Sequence, residues 1–363
     1  MDGTGKKITV TVSNDIVTDQ RMDRICTSLA DMGFEVEIVG RKLAGSFPLL
    51  AKHYKQSRLK LIFTKGPLFY AELNLRLLFY LLAVKPDIVY SVDADTALAG
   101  VWTKKITKAR LIFDAHELFS EVPELQNRGG IKRIWQGIEK LIITRADERI
   151  TVSESVANFY LSKYNKPFEV IRNVSRAKVH LTQPNKDRYI LYQGALNTGR
   201  GLEHLIEAGS KLDIKIKIAG DGDIAEKLKQ QANSNPNNNV EFLGRLLPDA
   251  LDELTANAWL GYNLLENKSL SYQYSLSNKT FDYIQAGIPQ LIPDFPEYKK
   301  LNEEWGFGIG VGLTSEEIVK VVNQVLEDEN LYNSLKQNTE KAAKVLTWEN
   351  EEAKLKGIIK DLF

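Results

Sequence analysis

The sequence has almost no cysteine, since Cys26 is the only one among 363 residues. An internal disulfide is therefore excluded, and a reducing compartment is expected. Cys26 shares a helical spacing with Met22, Ile25 and Leu29, which predicts buried packing rather than a reactive thiol. No low-complexity tract occurs, and 43% apolar with 26% charged residues is typical of an ordinary globular protein.

Targeting segments are also missing from the pattern. The N-terminus, MDGTGKKITVTVS, enters a strand-like run at once, so no signal peptide is expected. The most apolar stretch, PLFYAELNLRLLFYLLAV, is interrupted by Glu72, Asn74 and Arg76, which favours a core helix over a membrane span. Together with the single cysteine, this predicts a cytoplasmic protein.

Net charge is close to zero but unevenly distributed. Residues 1–175 carry 26 Lys and Arg against 20 Asp and Glu, whereas residues 176–363 carry 22 against 27. The excess of basic residues in the first half has two interpretations. It forms a solvated surface, or it attracts that half to an anionic membrane surface or a phosphate-bearing acceptor. A peripheral position at the inner face of the membrane therefore stays open. Nucleic acid is not expected, because the basic clusters lack interleaved aromatics or a known binding module.

Short runs of Val, Ile and Leu alternate with amphipathic helical patterns along the whole chain. Such runs predict parallel strands covered on both faces, and two sets of them predict two doubly wound, Rossmann-like domains. We expect residues 1–175 to form the first domain, 176–345 the second, and 346–363 a helix that returns to the first. The polar segment 173–188 marks the boundary. The third strand of the first domain is predicted at LKLIF, residues 59–63.

Ligands of open parallel sheets bind beyond the carboxyl ends of the strands, so two facing sheets would share one cleft. After the first strand come Ser13-Asn14-Asp15, and then either Thr18 or Asp19 can cap the next helix. Arg21 and Arg24 are predicted off the apolar face of that helix. The dinucleotide motif G-x-G-x-x-G is absent there, which argues against a dehydrogenase.

Two further strand ends in the first domain carry ionisable residues. FDAHEL places His116 between Asp114 and Glu117, and we expect a functional histidine. Its neutral imidazole can hydrogen-bond a substrate hydroxyl or a developing charge, while Glu117 can orient it or accept a proton. Asp93-Ala94-Asp95 resembles a metal-binding D-x-D motif, but two matched domains are the wrong context, so a structural use is favoured.

The second domain has small-residue loops at its strand ends. Gly194-Ala195 and Gly199-Arg200-Gly201 follow one strand and precede a helix, and Arg200 can clamp a phosphate. Gly220-Asp221-Gly222 and Gly244-Arg245 follow the next two strands. A turn with an exposed arginine is the simpler alternative for the first loop. The P-loop pattern is absent, which argues against ATP hydrolysis.

The segment YSLSNKTFDYIQAGIP, residues 274–289, predicts a helix start at the end of another strand. Ser277 or Asn278 is a suitable N-cap. Free amides and the positive dipole end suit a phosphate, and Lys279 adds a full positive charge. Asp282, one turn later, can accept two ribose hydroxyls. We therefore expect this helix to start at a ligand.

Together the segments SNDIVTDQRMDRICTSLADMGFEV, FDAHELFSEVPEL, QGALNTGRGLEHLIEA, AGDGD and LSNKTFDYIQAGIP resemble the retaining glycosyltransferases of family 4, which have the GT-B fold. The resemblance extends over essentially the whole chain and is greatest to bacterial enzymes of surface-glycan assembly. It implies a hexosyl- or N-acetylhexosaminyl-type transferase with a UDP-linked or GDP-linked donor, UDP being favoured, and a glycan or lipid-linked saccharide acceptor.

The resemblance also implies roles for individual residues. His116, Arg200 and Lys279 would be catalytic, the two cations and the helix amides stabilising the departing diphosphate without a metal or other cofactor. The first domain would hold the acceptor through Asp15, Asp19, Arg21 and Glu117. The donor would contact residues of the second domain, namely Gly194, Ala195, Gly199, Gly201, Gly220, Asp221, Gly244, Ser277, Asn278 and Asp282.

Three positions depart from the family pattern. Tyr274 stands where an acid is common, eight residues before Asp282, so Ser275–Asn278 would contact the donor sugar instead. Ala195 replaces a common basic residue, and Ser13-Asn14-Asp15 replaces a glycine-rich loop. Two alternatives therefore stay open: a non-catalytic sugar-nucleotide-binding scaffold subunit, and a non-hydrolysing sugar-nucleotide epimerase, which matches the motifs less well.

Overall fold

A computed structural model describes residues 3–177 and 188–362 of the chain. It divides into two compact units, one comprising Met1–Arg172 and Glu351–Phe363, the other Asn173–Asn350. The divisions predicted from the sequence lie at 175 and 345. Most of the predicted boundary segment, residues 178–187, lies outside the described residues.

The first unit is built on a seven-stranded sheet in which every neighbouring pair is parallel. Its strands are β1 Lys7–Thr11, β2 Glu35–Arg41, β3 Lys55–Leu59, β4 Ile88–Val92, β5 Arg110–Ala115, β6 Glu148–Thr151 and β7 Glu169–Val170. Its helices are α1 Gln20–Asp31, α2 Gly66–Val84, α3 Asp93–Thr107, α4 Gly129–Arg145 and α5 Glu154–Tyr164. The spatial order β3-β2-β1-β4-β5-β6-β7 reverses direction between β1 and β4.

The second unit repeats this architecture with six parallel strands in the order β10-β9-β8-β11-β12-β13. The strands are β8 Tyr189–Gln193, β9 Lys215–Ala219, β10 Val240–Gly244, β11 Leu260–Tyr262, β12 Gln290–Ile292 and β13 Gly308–Gly310. The helices are α6 Leu202–Gly209, α7 Ala225–Asn233, α8 Pro248–Ala256, α9 Leu270–Gln273, α10 Asn278–Gln285, α11 Pro296–Trp305, α12 Ser315–Glu327 and α13 Glu329–Val345.

The burial of the central strands shows that both faces of each sheet are covered. All residues of β4 and β8 are buried, as expected for central parallel strands rich in Val, Ile and Leu. Strand order reverses next to β1 in the first unit and next to β8 in the second. The loops after these strands therefore lie at the points where doubly wound sheets bind ligands. Cys26 is fully buried on α1, as predicted.

The last helix, α14 Trp348–Asp361, continues across the second division of the chain. From Glu351 onwards its residues belong to the first unit. There the Glu351 carboxylate accepts a hydrogen bond from the Arg172 amide at 3.1 Å, and the Lys354 ammonium donates to the Val170 carbonyl at 3.4 Å.

Two predictions about the first unit are wrong. The third strand ends at Leu59 instead of beginning there, and the apolar residues after it are outside the sheet, with Ile62 76% exposed. The reason is that β2 pairs with the polar residues Lys55–Leu59, while the Glu72 carboxylate accepts the amides of Ile62 and Phe63.

The apolar stretch in α2 is also not a core helix. The helix is 19 residues long and apolar enough to cross a membrane by length and composition, yet only 28% of its apolar stretch is buried. Its buried side is a single stripe that includes Phe69, Leu73, Leu77 and Leu81. Polar Glu72 and Arg76 pair with each other on the helix surface at 2.7 Å, so they do not interrupt it.

Candidate active site

Glycine loops form the carboxyl edge of the sheet in the second unit. Gly194 follows β8 and Gly220 follows β9, with φ angles of 131° and 151° that disfavour other residues. A Cβ on Gly220 would lie 1.8 Å from the Gly194 carbonyl oxygen, so the two loops touch through their backbones. The Gly220 amide also donates to the Gly244 carbonyl at 2.8 Å. The structure therefore brings these three predicted residues together.

Ala195 and Asp221 belong to the same pair of loops. The Tyr192 hydroxyl donates to the Ala195 carbonyl at 2.7 Å, and the Leu196 amide donates to the Asp221 carbonyl at 3.0 Å. The Asp221 carboxylate accepts the amide of Gly222 at 2.8 Å, which fixes the turn.

Arg200 lies between two glycines with positive φ angles, 91° at Gly199 and 64° at Gly201. A Cβ on Gly201 would lie 2.5 Å from the Leu313 side chain, so this turn into α6 requires glycine there. The Arg200 guanidinium stacks on the Tyr272 ring at 5.2 Å. Its Nε is buried and has no hydrogen-bond partner among the described residues.

Lys279, in the first turn of α10, is the second cation of this site. It is 8% exposed, and its ammonium lies 4.0 Å from the centre of the Tyr192 ring. Within the described parts of the chain, this ammonium has no hydrogen-bond partner. Burial, and then the charge of Arg200, hold the pKa of Lys279 well below its usual value. A buried ammonium beside a second cation is unfavourable unless an anion joins them.

The start of α10 is open to such an anion. Ser277 occupies the N-cap position, as predicted, but its hydroxyl donates to the Asn263 side chain at 2.7 Å and caps no amide of the helix. The Ser277 amide donates to the Tyr298 hydroxyl at 3.0 Å. The first-turn amides therefore keep their positive dipole end without a side-chain cap.

Asp282 is held by two neighbours that the sequence analysis missed. The Ser175 hydroxyl donates to one carboxylate oxygen at 2.6 Å, and the Gln193 amide donates to the other at 3.1 Å. Asn173 similarly donates to the Asn278 side chain. Ser175 and Gln193 are polar residues that closely follow or end a strand, in the segments IRNVS and LYQG, and this position is the sequence feature that points to them.

A buried ion pair organises the corresponding edge of the first unit. The Arg21 guanidinium lies 3.0 Å from the Asp114 carboxylate, and their side chains are 2% and 0% exposed. Arg21 also donates to the Ile171 carbonyl at 2.8 Å, and the Tyr90 hydroxyl donates to Asp114 at 2.8 Å. The expectation that Arg21 and Arg24 lie off the buried helix face is wrong, because both are buried.

His116 is held by this pair and by Asp93. Its Nε2 lies 3.0 Å from Asp114 Oδ2 and 3.0 Å from Arg21 Nε, and its backbone amide donates to Asp93 at 2.8 Å. Burial opposes protonation, but the charges of Asp114 and Asp93 outweigh it and raise the pKa of His116. These contacts fix the orientation of the ring.

Glu117 and Asp95 are carboxyls that favour the protonated form. Burial, followed by the charges of Asp93 and Asp95, raises the pKa of Glu117 to about 8. Burial, followed by the charge of Asp93, raises the pKa of Asp95 to about 7. Throughout the described residues, no group of three or more His, Cys, Asp or Glu side chains is arranged to hold a metal ion, so the D-x-D pair forms no such group.

Asp15 and Asp19 already have partners within the first unit. Asp19 caps α1 by accepting the Met22 amide at 3.0 Å and also accepts the Asn14 side chain at 2.9 Å. Asp15 is 7% exposed and pairs with Arg58 at 2.9 Å. Their geometry is thus explained by local structure, and their acceptor role stays a prediction.

Comparisons with known proteins agree with this geometry. The sequence profile of Glycosyltransferase Family 4 matches residues 20–174, and that of Glycosyl transferases group 1 matches residues 174–342. No curated protein sequence matches the chain. The chain belongs to the family 4 glycosyltransferases with the GT-B fold.

Solved structures share the fold at low sequence identity. Sucrose-phosphate synthase from Thermosynechococcus elongatus is 16% identical with a TM-score of 0.78, and the match covers 99% of both chains. HepE from Anabaena, in complex with UDP and glucose, is 16% identical with a TM-score of 0.79 over 98% of this chain and 100% of that one. A putative UDP-N-acetylglucosamine 2-epimerase from Listeria monocytogenes is 15% identical with a TM-score of 0.67, over 98% and 96%.

The buried ion pair gives a first prediction. Arg21→Met leaves the Asp114 carboxylate buried without its main counter-charge, and we expect a loss of about 3–5 kcal/mol in the free energy of unfolding. Urea unfolding of the full chain measures this. Arg110→Met is the control: that arginine is 56% exposed and 3.6 Å from Asp147, so its loss should cost less than about 1 kcal/mol. Equal effects of the two changes would contradict the prediction.

The raised pKa of Glu117 predicts how stability depends on pH. A group with a raised pKa in the folded state contributes stability below its unfolded pKa and loses it as pH rises through the folded value, here about 8. The wild-type melting temperature should therefore fall as the pH rises from about 4.5 to about 8, and that of Glu117→Gln should fall less. Exposed Glu35→Gln serves as the control and should follow the wild type. A Glu117→Gln curve parallel to the wild type would refute the assignment.

Lys279 predicts an unusual effect on stability. Lys279→Met removes an ammonium without an acceptor and keeps the side-chain length, so the ligand-free protein should be as stable as the wild type or up to about 2 kcal/mol more stable. Lys217→Met is the matched control, since its ammonium lies 4.1 Å from the Tyr189 ring. That change should cost about 0.5–1 kcal/mol. A loss above about 1 kcal/mol for Lys279→Met, measured by urea unfolding, would contradict the prediction.

Proposed function

We propose that the protein transfers a sugar from a nucleotide-diphosphate donor to a hydroxyl of a glycan or lipid-linked saccharide, with retention of anomeric configuration. The observation that carries the proposal is the pair of cations, Arg200 and Lys279, with buried nitrogens that lack hydrogen-bond partners among the described residues. They occur beside glycine loops and in the first turn of a helix whose start lacks a side-chain cap. A diphosphate is the anion that two cations and such a helix start accommodate best.

We favour UDP over GDP as the nucleotide. HepE, which shares the fold over nearly the whole chain, was solved with UDP and glucose. Asp282 accepts the ribose hydroxyls in this proposal, since Ser175 and Gln193 hold its carboxylate in place. Ser275–Asn278 contact the donor sugar, because Tyr274 replaces the acid that the family often has. Hexosyl and N-acetylhexosaminyl donors both fit this assignment.

The chemistry breaks the bond between the anomeric carbon and the diphosphate oxygen and forms one to the acceptor oxygen. The bonding electron pair leaves with the diphosphate, whose charge Arg200, Lys279 and the α10 amides stabilise, without a metal ion or other cofactor. The acceptor proton passes to Glu117 in its ionised form or to the departing phosphate oxygen. His116 stabilises charge at the donor sugar, and Arg21 acts through Asp114 by fixing the His116 ring.

The two alternative functions, an epimerase and a non-catalytic scaffold, require different features of the chain. An epimerase shares the fold, as the Listeria protein shows, but both family profiles that match this chain are those of glycosyltransferases. A non-catalytic scaffold would need the nucleotide site and not His116. Because the Arg21–Asp114 pair holds His116 in one orientation, we favour the catalytic assignment.

The decisive experiment combines binding with turnover. We expect UDP or a UDP-sugar to raise the melting temperature of the wild type, since a ligand of the folded state stabilises it. Lys279→Ala should lose this shift and reduce donor hydrolysis or transfer at least about 100-fold. His116→Ala should keep the shift and lose turnover.

Lys217→Ala is the control and should keep both properties. Nucleotide binding without turnover in the wild type would favour the scaffold alternative. No stabilisation by UDP, GDP, ADP or their sugar conjugates would overturn the proposed donor site. Turnover that survives both His116→Ala and Lys279→Ala would overturn the catalytic assignments.

A further inference from the structure

The outer sides of α2, α3 and α4 carry an unusual number of large apolar side chains. We call this surface the apolar face and define it by Leu68, Leu75, Phe79, Trp102, Ile106 and Ile134. Each is exposed, from 37% at Trp102 to 69% at Phe79. Single exposed apolar residues are common in proteins, but groups of this size mark interaction surfaces.

Three residues of the apolar face, Leu68, Leu75 and Phe79, lie on α2, which is fixed on its other side. The Asn74 side chain of α2 donates to the Asp95 carbonyl at 2.7 Å and accepts the Ala99 amide at 3.0 Å. Leu73 and Leu77 are fully buried. Because these contacts tie α2 to α3 within the first unit, α2 cannot leave to cross a bilayer without breaking the fold. Its uncovered side can only meet a surface laid against it.

The three helices present these residues side by side. Helices that follow parallel strands in one sheet run in the same direction, so equal positions along them lie at similar levels. Phe79 and Trp102 each lie five residues before the end of their helix. At the other end, the Tyr70 ring of α2 meets the Trp135 ring of α4 edge-on at 4.9 Å. The exposed apolar residues therefore lie on three helices that cover one side of the same sheet.

The charges around this surface have one sign. The exposed ionisable residues of α2, α3 and α4 are all basic: Arg76, Lys105, Arg133, Lys140 and Arg145. The acidic residues of these helices are turned inwards or paired, since Glu139 is buried and Glu72 binds Arg76 and the amides of Ile62 and Phe63. An apolar stripe bordered by Lys and Arg matches the acyl chains and headgroups of an anionic leaflet.

We propose that the apolar face docks on the surface of an anionic lipid bilayer, with α2 lying parallel to the membrane plane. A second copy of this chain is a poorer occupant, because it would place like charges opposite one another. The membrane proposal does not depend on which donor the protein uses, but it favours a lipid-linked acceptor. The reason is that α2 begins after the carboxyl end of β3, and His116 and Glu117 follow the carboxyl end of β5, at the same edge of the sheet.

The test is flotation of the full chain with vesicles of phosphatidylcholine alone or with added phosphatidylglycerol. We expect binding to the anionic vesicles, which weakens as salt rises. Leu75→Ser/Phe79→Ser should reduce binding about tenfold or more, because two side chains no longer enter the apolar layer. Lys105→Glu/Arg133→Glu should abolish the preference for anionic lipid.

A matched control removes two exposed apolar side chains from the second unit. Leu247 and Val345 are 57% and 47% exposed, and Leu247→Ser/Val345→Ser should bind vesicles like the wild type. Circular dichroism should show that all variants are folded. UDP-induced stabilisation should be the same in all of them, so a failed donor site and a failed membrane site remain distinguishable.

Three outcomes would overturn the proposal. The first is absence of binding to anionic vesicles at low salt. The second is equal binding by the wild type and Leu75→Ser/Phe79→Ser. The third is self-association of the wild type in analytical ultracentrifugation that the same double substitution removes, since the face would then be an interface between copies.

Discussion

The proposed donor site depends on one unfavourable arrangement, the buried ammonium of Lys279 against the Tyr192 ring with the Arg200 charge nearby. Two neighbouring cations of this kind do not stabilise the folded protein. Burial, followed by the charge of Arg200, lowers the pKa of Lys279, which means that the charged form is disfavoured. The arrangement becomes favourable when an anion neutralises both charges. The glycine loops after β8 and β9 and the start of α10 without a side-chain cap are the surroundings that such an anion needs.

The first unit shows the opposite use of buried charge. Arg21 and Asp114 neutralise each other completely inside the fold, and the benefit is a fixed orientation of His116. Glu117, in contrast, is a carboxyl whose pKa is raised to about 8, by burial first and then by neighbouring carboxylates. Environments that push the pKa values of nearby groups in different directions are typical of acid–base chemistry.

Runs of Val, Ile and Leu predict the strands well, because segments such as IVYSV and YILYQ are both buried and bounded by loops. The β3 strand was placed wrongly since its pairing residues are polar and the apolar run beside it is exposed. The strand-end pattern alone selects Gly194, Arg200, Lys279 and Asp282 as candidate site residues, and their roles stay predictions. Ser175 and Gln193 could not be assigned, because their contact with Asp282 depends on how α10 packs beside β8. Burial of Arg21 likewise depends on a partner 93 residues away.

Proton uptake on nucleotide binding tests the central claim most directly. If an incoming diphosphate restores the charge of Lys279, titration calorimetry of UDP in buffers of different ionisation enthalpy should show proton uptake by the protein on binding. Lys279→Met should bind more weakly and take up no proton. Tight UDP binding with the same proton balance in the wild type and in Lys279→Met would contradict the account.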